Sequence, residues 1–252
     1  MFKPHFTSSH TQKAKEALNL LKNEYNHYSL DQATHIVSLG GDGHMLKVLH
    51  KYKNTKLPIF GMNRGSFGFL MNHFDVQNLE TRIQDAKNIR LMTLNLTAIN
   101  DNNESLHATA FNEVSILRSK GQAAKLKISI DGVERMNELI CDGMLVATPA
   151  GSTAYNRACN GPILPLDSKI LAVTPISPFR PRWRGAILLD DAVIEIENLY
   201  AEERPTSVGA DFLEFRRIKK IIVKKSDKKS PTLLFDPDFP LDDRIIGEQF
   251  LL

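Results

Sequence analysis

The sequence is poor in the features that mark secreted and membrane-spanning proteins. It has two cysteines, Cys141 and Cys159, in 252 residues, which is too few for a disulfide framework and makes a reducing cytoplasm the expected compartment. No apolar run approaches the length that spans a bilayer, and the first residues, 1–5, lack the apolar core of a signal peptide. We therefore expect a cytoplasmic protein with no membrane partner.

Metal-binding and nucleic-acid-binding signals are also scarce. All eight histidines lie at or before His107, and none forms a His-x-x-x-His pair or a cluster with cysteine, so we nominate no metal ligands. The net charge of +3 is too small to indicate a nucleic-acid partner. The basic stretch at 215–225 has no aromatic residue after Phe215, and we interpret it as a β-strand whose lysines guard a sheet edge.

What is present is an ordinary globular composition with a change of pattern along the chain. Helical spacing over 12–24, 44–52 and 75–86 alternates with apolar strand patterns at 35–39 and 57–62, which is typical of a parallel α/β layer. From about residue 90 strand patterns dominate, including a continuous strand over 108–117 and a hairpin signal at Asp131-Gly132.

This change predicts two domains. The first, over 1–95, is an α/β domain with a parallel sheet, and the second, over 96–252, is β-rich, which makes the chain α+β as a whole. An alternative for the last ~20 residues of the second range is that they pack back on the first domain.

The most informative segment is Leu39-Gly40-Gly41-Asp42-Gly43-His44, directly after the first apolar strand pattern. Glycines at such a strand-to-helix turn allow backbone to approach phosphate closely. A carboxylate in that place repels phosphate, so it suits a base that takes a proton from an attacking hydroxyl group. The alternative is that Asp42 only caps the following helix. The segment lacks the Gly-Lys-Ser/Thr ending of the Walker pattern and the spacing of the dinucleotide fingerprint.

Two further segments bring polar groups into apolar surroundings. The strand pattern that contains Asp142 ends at Thr148-Pro149, and the small residues 150–154 that follow leave room for a ligand and offer hydroxyl and backbone hydrogen bonds. Tyr155 adds a flat face for a ring. Asn112-Glu113 lies inside an apolar strand pattern, where the pair either bonds to neighbouring backbone or faces a ligand.

Taken together, these segments resemble the NAD kinase family. The shared motifs are Gly-Gly-Asp-Gly at 40–43, Asn-Arg-Gly-x-x-Gly-Phe-Leu at 63–70, Asn-Glu at 112–113, Asp-Gly at 142–143, and Thr-Pro-x-Gly-Ser-Thr-Ala-Tyr at 148–155. The resemblance implies a two-domain fold of the NAD kinase type, with NAD bound between an α/β and a β-rich domain. It also implies phosphoryl transfer from ATP, with Mg²⁺ or another divalent cation, to the adenosine ribose 2′-hydroxyl of NAD, giving NADP.

The resemblance carries roles to individual residues of this chain. Asp42 would be the base and Gly43 would lie against the phosphates. The residues expected to contact the dinucleotide are Asp42, Gly43, Lys47, Asn112, Glu113, Asp142, Ala150, Thr153, Ala154, Tyr155, Asn156, Arg157 and Ala158. A Gly-x-Asp element at 209–211 matches the family only loosely, and Asp211 is not nominated. The resemblance further implies a homodimer or homotetramer and leaves polyphosphate open as an alternative donor.

Other interpretations of the same residues remain. A lipid or sugar kinase could use the Gly-Gly-Asp-Gly turn with a different acceptor pocket. A non-catalytic dinucleotide sensor could keep the pocket without turnover, although a carboxylate beside phosphates has no evident use in such a protein. An acceptor screen distinguishes these alternatives.

Overall fold

A computed structural model describes residues 1–66, 68–228 and 230–237 of the chain. Its helices are α1 Gln12–Glu24, α2 Asp42–Tyr52, α3 Leu79–Asp85 and α4 Tyr155–Ala158, and a 3₁₀ turn covers Ala150–Thr153. Its strands are β1 Pro4–Ser8, β2 His35–Gly40, β3 Ile59–Asn63, β4 Lys87–Arg90, β5 Leu94–Asn100, β6 Ser105–Ala110, β7 Glu113–Arg118, β8 Ala124–Ile130, β9 Val133–Cys141, β10 Gly143–Ala147, β11 Ile170–Ile176, β12 Ala186–Leu189, β13 Ile194–Asn198, β14 Thr206–Ala210, β15 Leu213–Arg216, β16 Ile218–Lys225 and β17 Thr232–Phe235. Among these helices none combines the length and apolar character that crossing a membrane requires.

The described chain forms two compact units. The first contains residues 1–91 and the returning segment 230–237, and the second contains residues 92–228. The boundary expected at residue 95 lies inside β5, which belongs entirely to the second unit. The predicted architecture, an α/β unit with a parallel sheet followed by a β-rich unit, is confirmed.

The first unit is built on a five-stranded sheet in the order β1-β2-β3-β17-β4. Strands β1, β2 and β3 are parallel, and β17 pairs parallel with β3 and antiparallel with β4. Helix α1 buries Ala14, Ala17 and Leu21 in the core of this unit. Because ligands of parallel sheets bind beyond the carboxyl ends of the strands, the loops after β2 and β3 are the candidate site.

Two polar side chains attach the returning segment to this sheet. The buried Asn72 amide donates to the carbonyl oxygens of Gly61 (3.0 Å) and Leu234 (2.9 Å), and its Oδ1 accepts from the backbone N–H of Asp236 (2.9 Å). Arg82 donates from Nε and Nη2 to the two carboxylate oxygens of Asp236, at 3.0 and 2.6 Å. These contacts fix β17 between β3 and β4.

The second unit is a β-sandwich. Its two six-stranded sheets have the orders β6-β5-β16-β13-β8-β9 and β12-β11-β10-β7-β14-β15, and every pairing in them is antiparallel. One apolar cluster with side chains from both sheets forms the core. On the opposite face of the second sheet, Leu145, Ala147 and Ala172 pack with Leu164 and Tyr155. The segment that carries the second set of candidate residues therefore packs against this sheet.

Two strand predictions were wrong in instructive ways. The pattern at 108–117 is two strands, because β6 ends at Ala110 in one sheet and β7 begins at Glu113 in the other. The basic strand β16 is not at an edge but lies between β5 and β13. Two of its four lysines have acidic neighbours, since Lys220 pairs with Glu195 and Lys225 with Asp190.

Helix α3 is shorter than predicted. The pattern placed a helix at 75–86, but Asn78 adopts a left-handed conformation with φ 55° and α3 begins only at Leu79. A left-handed residue cannot continue a right-handed helix, so the preceding residues form a separate turn.

Candidate active site

The Gly-Gly-Asp-Gly turn joins β2 to α2. Gly41 is the N-cap of the helix and makes no side-chain capping bond, so the alternative in which Asp42 only caps the helix is wrong. Asp42 is the first helical residue, and its carboxylate points to the loop after β3. Its Oδ2 accepts the backbone N–H of Phe69 (2.8 Å) and its Oδ1 accepts that of Leu70 (2.9 Å).

The loops after β2 and β3 are tied to each other at a second point. The backbone N–H of Arg64 donates to the carbonyl oxygen of Gly40 (2.7 Å), and the Asn63 side chain accepts from Gly65 N–H (2.9 Å). Phe67 lies outside the described residues. The first and second glycine motifs thus form one structure, in which backbone amides orient a carboxylate.

Gly43 lies one residue beyond Asp42 on the exposed surface of the helix. A Cβ added to it would meet no atom of the described residues within 4 Å, and it is not among the residues with positive φ. Neither packing nor backbone conformation therefore requires glycine here. Close approach of a ligand would account for a glycine at this position.

Positive charge surrounds the start of α2. His44 is partly buried, and burial first, then the charges of Lys47, His10 and Lys51, lower its pKa. Its Nε2 is buried with no hydrogen-bond partner in the described residues. Together with the N-terminal end of an 11-residue helix, these groups favour an anion. Lys47 is exposed one turn after Gly43, where its side chain can extend to a ligand.

In the second unit, Asp211 shapes the turn that carries Asn112 and Glu113. Its Oδ2 accepts the N–H of Phe111 (2.8 Å), and its Oδ1 accepts those of Asn112 (2.9 Å) and Glu113 (3.3 Å). Asp211 itself lies in the β14–β15 turn with φ 53°. Sequence reasoning set this residue aside, although the loose Gly-x-Asp match at 209–211 was the signal that could have identified it.

Asn112 and Glu113 each keep a buried oxygen without a hydrogen-bond partner in the described residues. These atoms are Asn112 Oδ1 and Glu113 Oε2. Burial, with a contribution from the charge of Asp211, raises the pKa of Glu113 to about 8. Because the carboxyl group is then mainly protonated at neutral pH, it can donate a hydrogen bond as well as accept one. Such unpaired buried groups are expected where a ligand completes the set.

The segment after β10 is fastened to the same turn. The Thr148 hydroxyl donates to Phe111 O (2.6 Å) and accepts from Gly151 N–H (3.1 Å), and Thr148 N–H donates to Asn112 O (2.9 Å). A Cβ on Gly151 would lie 2.1 Å from Asn112 O, so only glycine fits there. The Ser152 hydroxyl donates to Pro149 O (2.7 Å) and accepts from Leu164 N–H (3.0 Å). These hydroxyl groups hold the fold instead of facing a ligand.

Asn156 has a similar internal role. It is fully buried, and its amide nitrogen donates to Ser152 O (3.2 Å) and Pro162 O (2.8 Å). Its Oδ1 accepts the Thr174 hydroxyl at 2.6 Å. The side chain is therefore committed to holding the loop, and we expect any effect of Asn156 on binding to act through the position of its neighbours.

The other predicted contacts differ in accessibility. Ala150 is buried, and Thr153 and Tyr155 are half-buried. Asp142 is partly exposed and accepts Arg118 Nε at 2.6 Å. Ala154, Arg157 and Ala158 are exposed.

Within each unit the structure brings some of the predicted residues near one another. Asp42, Gly43 and Lys47 share the start of α2. Burial first, then Cys159, raise the pKa of Tyr155, and Glu113 and Asp142 lie close enough to add smaller contributions. No group of three acidic, histidine or cysteine side chains with metal-site geometry occurs in the residues that the structure describes.

Solved structures with this fold identify the class of protein. A yeast NADH kinase, determined with NADH, superposes with a TM-score of 0.82 at 21% identity and covers 100% of this chain and 87% of that one. An NAD kinase from Archaeoglobus fulgidus, determined with ATP, gives a TM-score of 0.77 at 25% identity over 98% of each chain. The fold and the glycine turn thus define an enzyme of the kinase class.

Sequence comparisons make the assignment specific. The ATP-NAD kinase N-terminal domain matches residues 3–88, and the ATP-NAD kinase C-terminal domain matches residues 111–234. The NAD kinase of Rhizobium meliloti is 46% identical over 97% of this chain and 96% of its own length. That of Rickettsia rickettsii is 45% identical over 96% and 95%. The chain belongs to the NAD kinase family.

Proposed function

We propose that this kinase transfers the terminal phosphoryl group of ATP to the 2′-hydroxyl of the adenosine ribose of NAD, giving NADP and ADP. The observation that carries the proposal is the carboxylate of Asp42, held by the backbone N–H groups of Phe69 and Leu70 beside a glycine with open space around it. A carboxylate oxygen has two lone pairs, so an oxygen that accepts one backbone N–H can also accept a hydroxyl group.

In this reaction the ribose oxygen forms a bond to the terminal phosphorus atom while the bond from that phosphorus to the bridging oxygen of ATP breaks. The proton of the hydroxyl group passes to Asp42, and ADP leaves. Because phosphoryl transfer depends mainly on positioning, the two amide bonds that orient the carboxylate are as important as its charge.

The donor would be ATP with its divalent cation, bound as one substrate. The start of α2, exposed Gly43 and the charges of Lys47 and Lys51 support phosphate binding there. The Archaeoglobus relative, whose structure contains ATP, supports this donor. The same assay with polyphosphate in place of ATP tests the alternative donor.

The acceptor would be bound by the second unit. The unpaired Oδ1 of Asn112 and the protonated carboxyl group of Glu113 suit the hydroxyl and amine groups of a nucleoside. Half-buried Tyr155 offers a face for a ring, and Thr153 and Ala154 continue the same segment. Asp142, Ala150, Arg157 and Ala158 complete the proposed contacts.

The test is NADP formation from ATP, Mg²⁺ and NAD, scored with a coupled NADP-specific dehydrogenase. Asp42→Asn removes the base, and we expect kcat to fall by about 10²–10⁴-fold, the usual contribution of general base catalysis. Asp75→Asn is the matched control, because Asp75 is an exposed carboxylate of the same unit that also accepts a backbone N–H, from Gln77 at 2.9 Å.

Binding and stability must be measured beside turnover. The amide nitrogen introduced by Asp42→Asn would oppose the N–H of Phe69 or Leu70, which costs about 1 kcal/mol of stability. If Asp42→Asn still binds NAD in calorimetry but has lost turnover, the result supports the role of Asp42 as the base. Turnover of Asp42→Asn within a few-fold of wild type would refute it, and wild-type turnover with sphingoid or sugar acceptors instead of NAD would refute the substrate.

A further inference from the structure

One end of the β-sandwich contains a cavity that the proposed reaction does not use. Its volume is about 560 Å³, and its charged lining consists of Asp101, Lys120, Glu202, Arg217 and Lys219. Both sheets contribute to the wall, because β5 and β7, which precede the first two of these residues, belong to different sheets. The volume is typical of small-molecule sites, which measure about 300–1,000 Å³.

The cavity lies at the opposite end of β7 from the proposed acceptor site. Strand β7 begins at Glu113 and ends at Arg118, so it covers roughly 17 Å, and Lys120 follows two residues later. Strand β14 pairs antiparallel with β7 and likewise runs from Pro205, in the cavity wall, to Asp211 beside Glu113. A ligand in this cavity is therefore separate from the one bound by Glu113.

Asp101 holds two cationic residues next to each other in the cavity wall. Its backbone N–H donates to Arg217 O (3.0 Å), and its own carbonyl oxygen accepts Lys219 Nζ (2.8 Å). Its carboxylate accepts Arg217 Nε. Because a guanidinium group has five N–H donors and an ammonium group has three, both side chains keep donors for a ligand.

The backbone is irregular at the same two residues. Arg217 has φ 60°, a left-handed conformation that costs a residue with a side chain about 1–2 kcal/mol. Lys219 is the extra residue of a β-bulge, since Ile218 is opposite Asn100 and Lys220 is opposite Ile99. Bulges redirect side chains and are common beside functional sites. Here the irregularities bring Arg217 and Lys219 to one cavity while Ile218 between them stays in the core.

Lys120 adds a third cation from the other sheet. Its carbonyl oxygen accepts Arg118 Nη1 at 2.6 Å, and the preceding Ser119 N–H donates to Pro205 O at 2.8 Å, so the backbone is fixed at this point. The Lys120 side chain is exposed, which leaves its ammonium group open to a solute.

The charges of the lining favour an anion. Three cationic side chains oppose two carboxylates, and one of these carboxylates, that of Asp101, is already paired with Arg217. The other belongs to Glu202, which is exposed. An arginine fork matches the geometry of phosphate oxygens, and a phosphate group carries nearly two negative charges at neutral pH.

We propose that this cavity binds a small phosphorylated molecule whose phosphate group is held by Lys120, Arg217 and Lys219. The cavity is larger than a phosphate group alone, so it also has space for the organic part of such a molecule. Glu202 weakens the site, because its charge repels the anion.

The experiment titrates inorganic pyrophosphate into the purified full-length protein by calorimetry, without Mg²⁺, which would itself bind the probe. We expect Lys120→Gln and Arg217→Asn each to weaken binding by about 10-fold, as for the loss of one charge-assisted hydrogen bond. Asparagine tolerates the left-handed conformation of Arg217. Glu202→Gln should tighten binding by about 2-fold, because it removes an exposed opposing charge. Arg216→Gln is the control, since Arg216 pairs with Glu214 and is absent from the lining.

Hydrogen exchange with and without pyrophosphate locates the site. Slower exchange at 101 and 217–219, together with weaker binding in Lys120→Gln and Arg217→Asn but not in Arg216→Gln, supports the proposal. A wild-type protein that does not bind pyrophosphate, or one that is protected only at the start of α2, overturns it. Weaker or unchanged binding in Glu202→Gln contradicts the charge balance on which it depends. Circular dichroism verifies that the variants are folded.

Discussion

Asp211 acts on Glu113 in two ways. Its carboxylate accepts the backbone N–H of Glu113 at 3.3 Å, while its negative charge, after burial, contributes to the rise of the Glu113 side-chain pKa to about 8. The same residue therefore holds the turn in place and helps to keep the neighbouring carboxyl group protonated. This gives Asp211 a positioning role in the proposed acceptor site.

Asp211→Asn should weaken acceptor binding and shift its pH dependence. Loss of the Asp211 charge lowers the pKa of Glu113, so the pH above which NAD affinity falls should move to lower values. We expect the KM for NAD to rise about 10-fold with a smaller change in kcat, as for a group that acts on binding. KM measured between pH 6 and 9 tests this, with exposed Asp227→Asn as the control. An unchanged pH profile would contradict the electrostatic part of the role.

Glu113→Gln should alter the pH dependence of stability. The folded-state pKa of Glu113, about 8, lies above its unfolded value of 4.5, so the folded state binds more protons between these values. The free energy of unfolding contributed by this group therefore falls as pH rises from 4.5 to 8. The glutamine introduced by Glu113→Gln does not titrate, so the Tm of the variant relative to wild type should increase from pH 5 to pH 9. Thermal unfolding at both pH values tests this, and exposed Glu202→Gln should show no such trend.

Two glycine substitutions should have opposite effects on stability. Gly43→Ala places a methyl group in open space on a helix, so the free energy of unfolding should stay equal or rise by up to about 1 kcal/mol. Turnover should fall, because the methyl group occupies space that a ligand would use. Gly151→Ala places Cβ 2.1 Å from Asn112 O and should cost about 2 kcal/mol or more. Thermal unfolding and the NADP assay together separate the two. Full turnover in Gly43→Ala would show that no ligand approaches this residue closely.

Asn72→Ala should loosen the returning strand. The substitution removes three hydrogen bonds in a buried place, to Gly61, Leu234 and Asp236, and we expect a loss of about 2–3 kcal/mol. Hydrogen exchange should increase at β17 and β4 before it increases in the second unit. Exposed Asn88→Ala in β4 is the control. Equal stability of the two variants would contradict the proposed attachment.

Local patterns in the sequence predicted the fold class and many elements correctly. Helix α1 spans Gln12–Glu24 as its apolar spacing indicates, and Thr11 caps it through a hydrogen bond from Ala14 N–H. The glycine turn lies between β2 and α2 as expected. Such features depend on neighbouring residues, so the sequence contains the information directly.

The errors concern long-range contacts. The break between β6 and β7 at 111–112 depends on Asp211, which lies about a hundred residues further on and removes three N–H groups from strand pairing. The interior position of β16 depends on its pairing with β5 and β13, which are distant in the sequence, while Ile221 and Val223 lie in the core. The residue pattern around these positions contains no signal of partners that are distant in the sequence. The orientation of Asp42 by Phe69 and Leu70 belongs to the same group of features.

The position of β17 has a consequence for the order in which the protein is made. The ribosome completes β3, β4 and the whole second unit before it synthesises the strand that lies between β3 and β4. Until then, β3 has a free edge and β4 has no partner in its sheet. The sheet of the first unit can therefore be completed only after residues 92–228 have been synthesised, so its closure joins strands that the whole second unit separates in sequence.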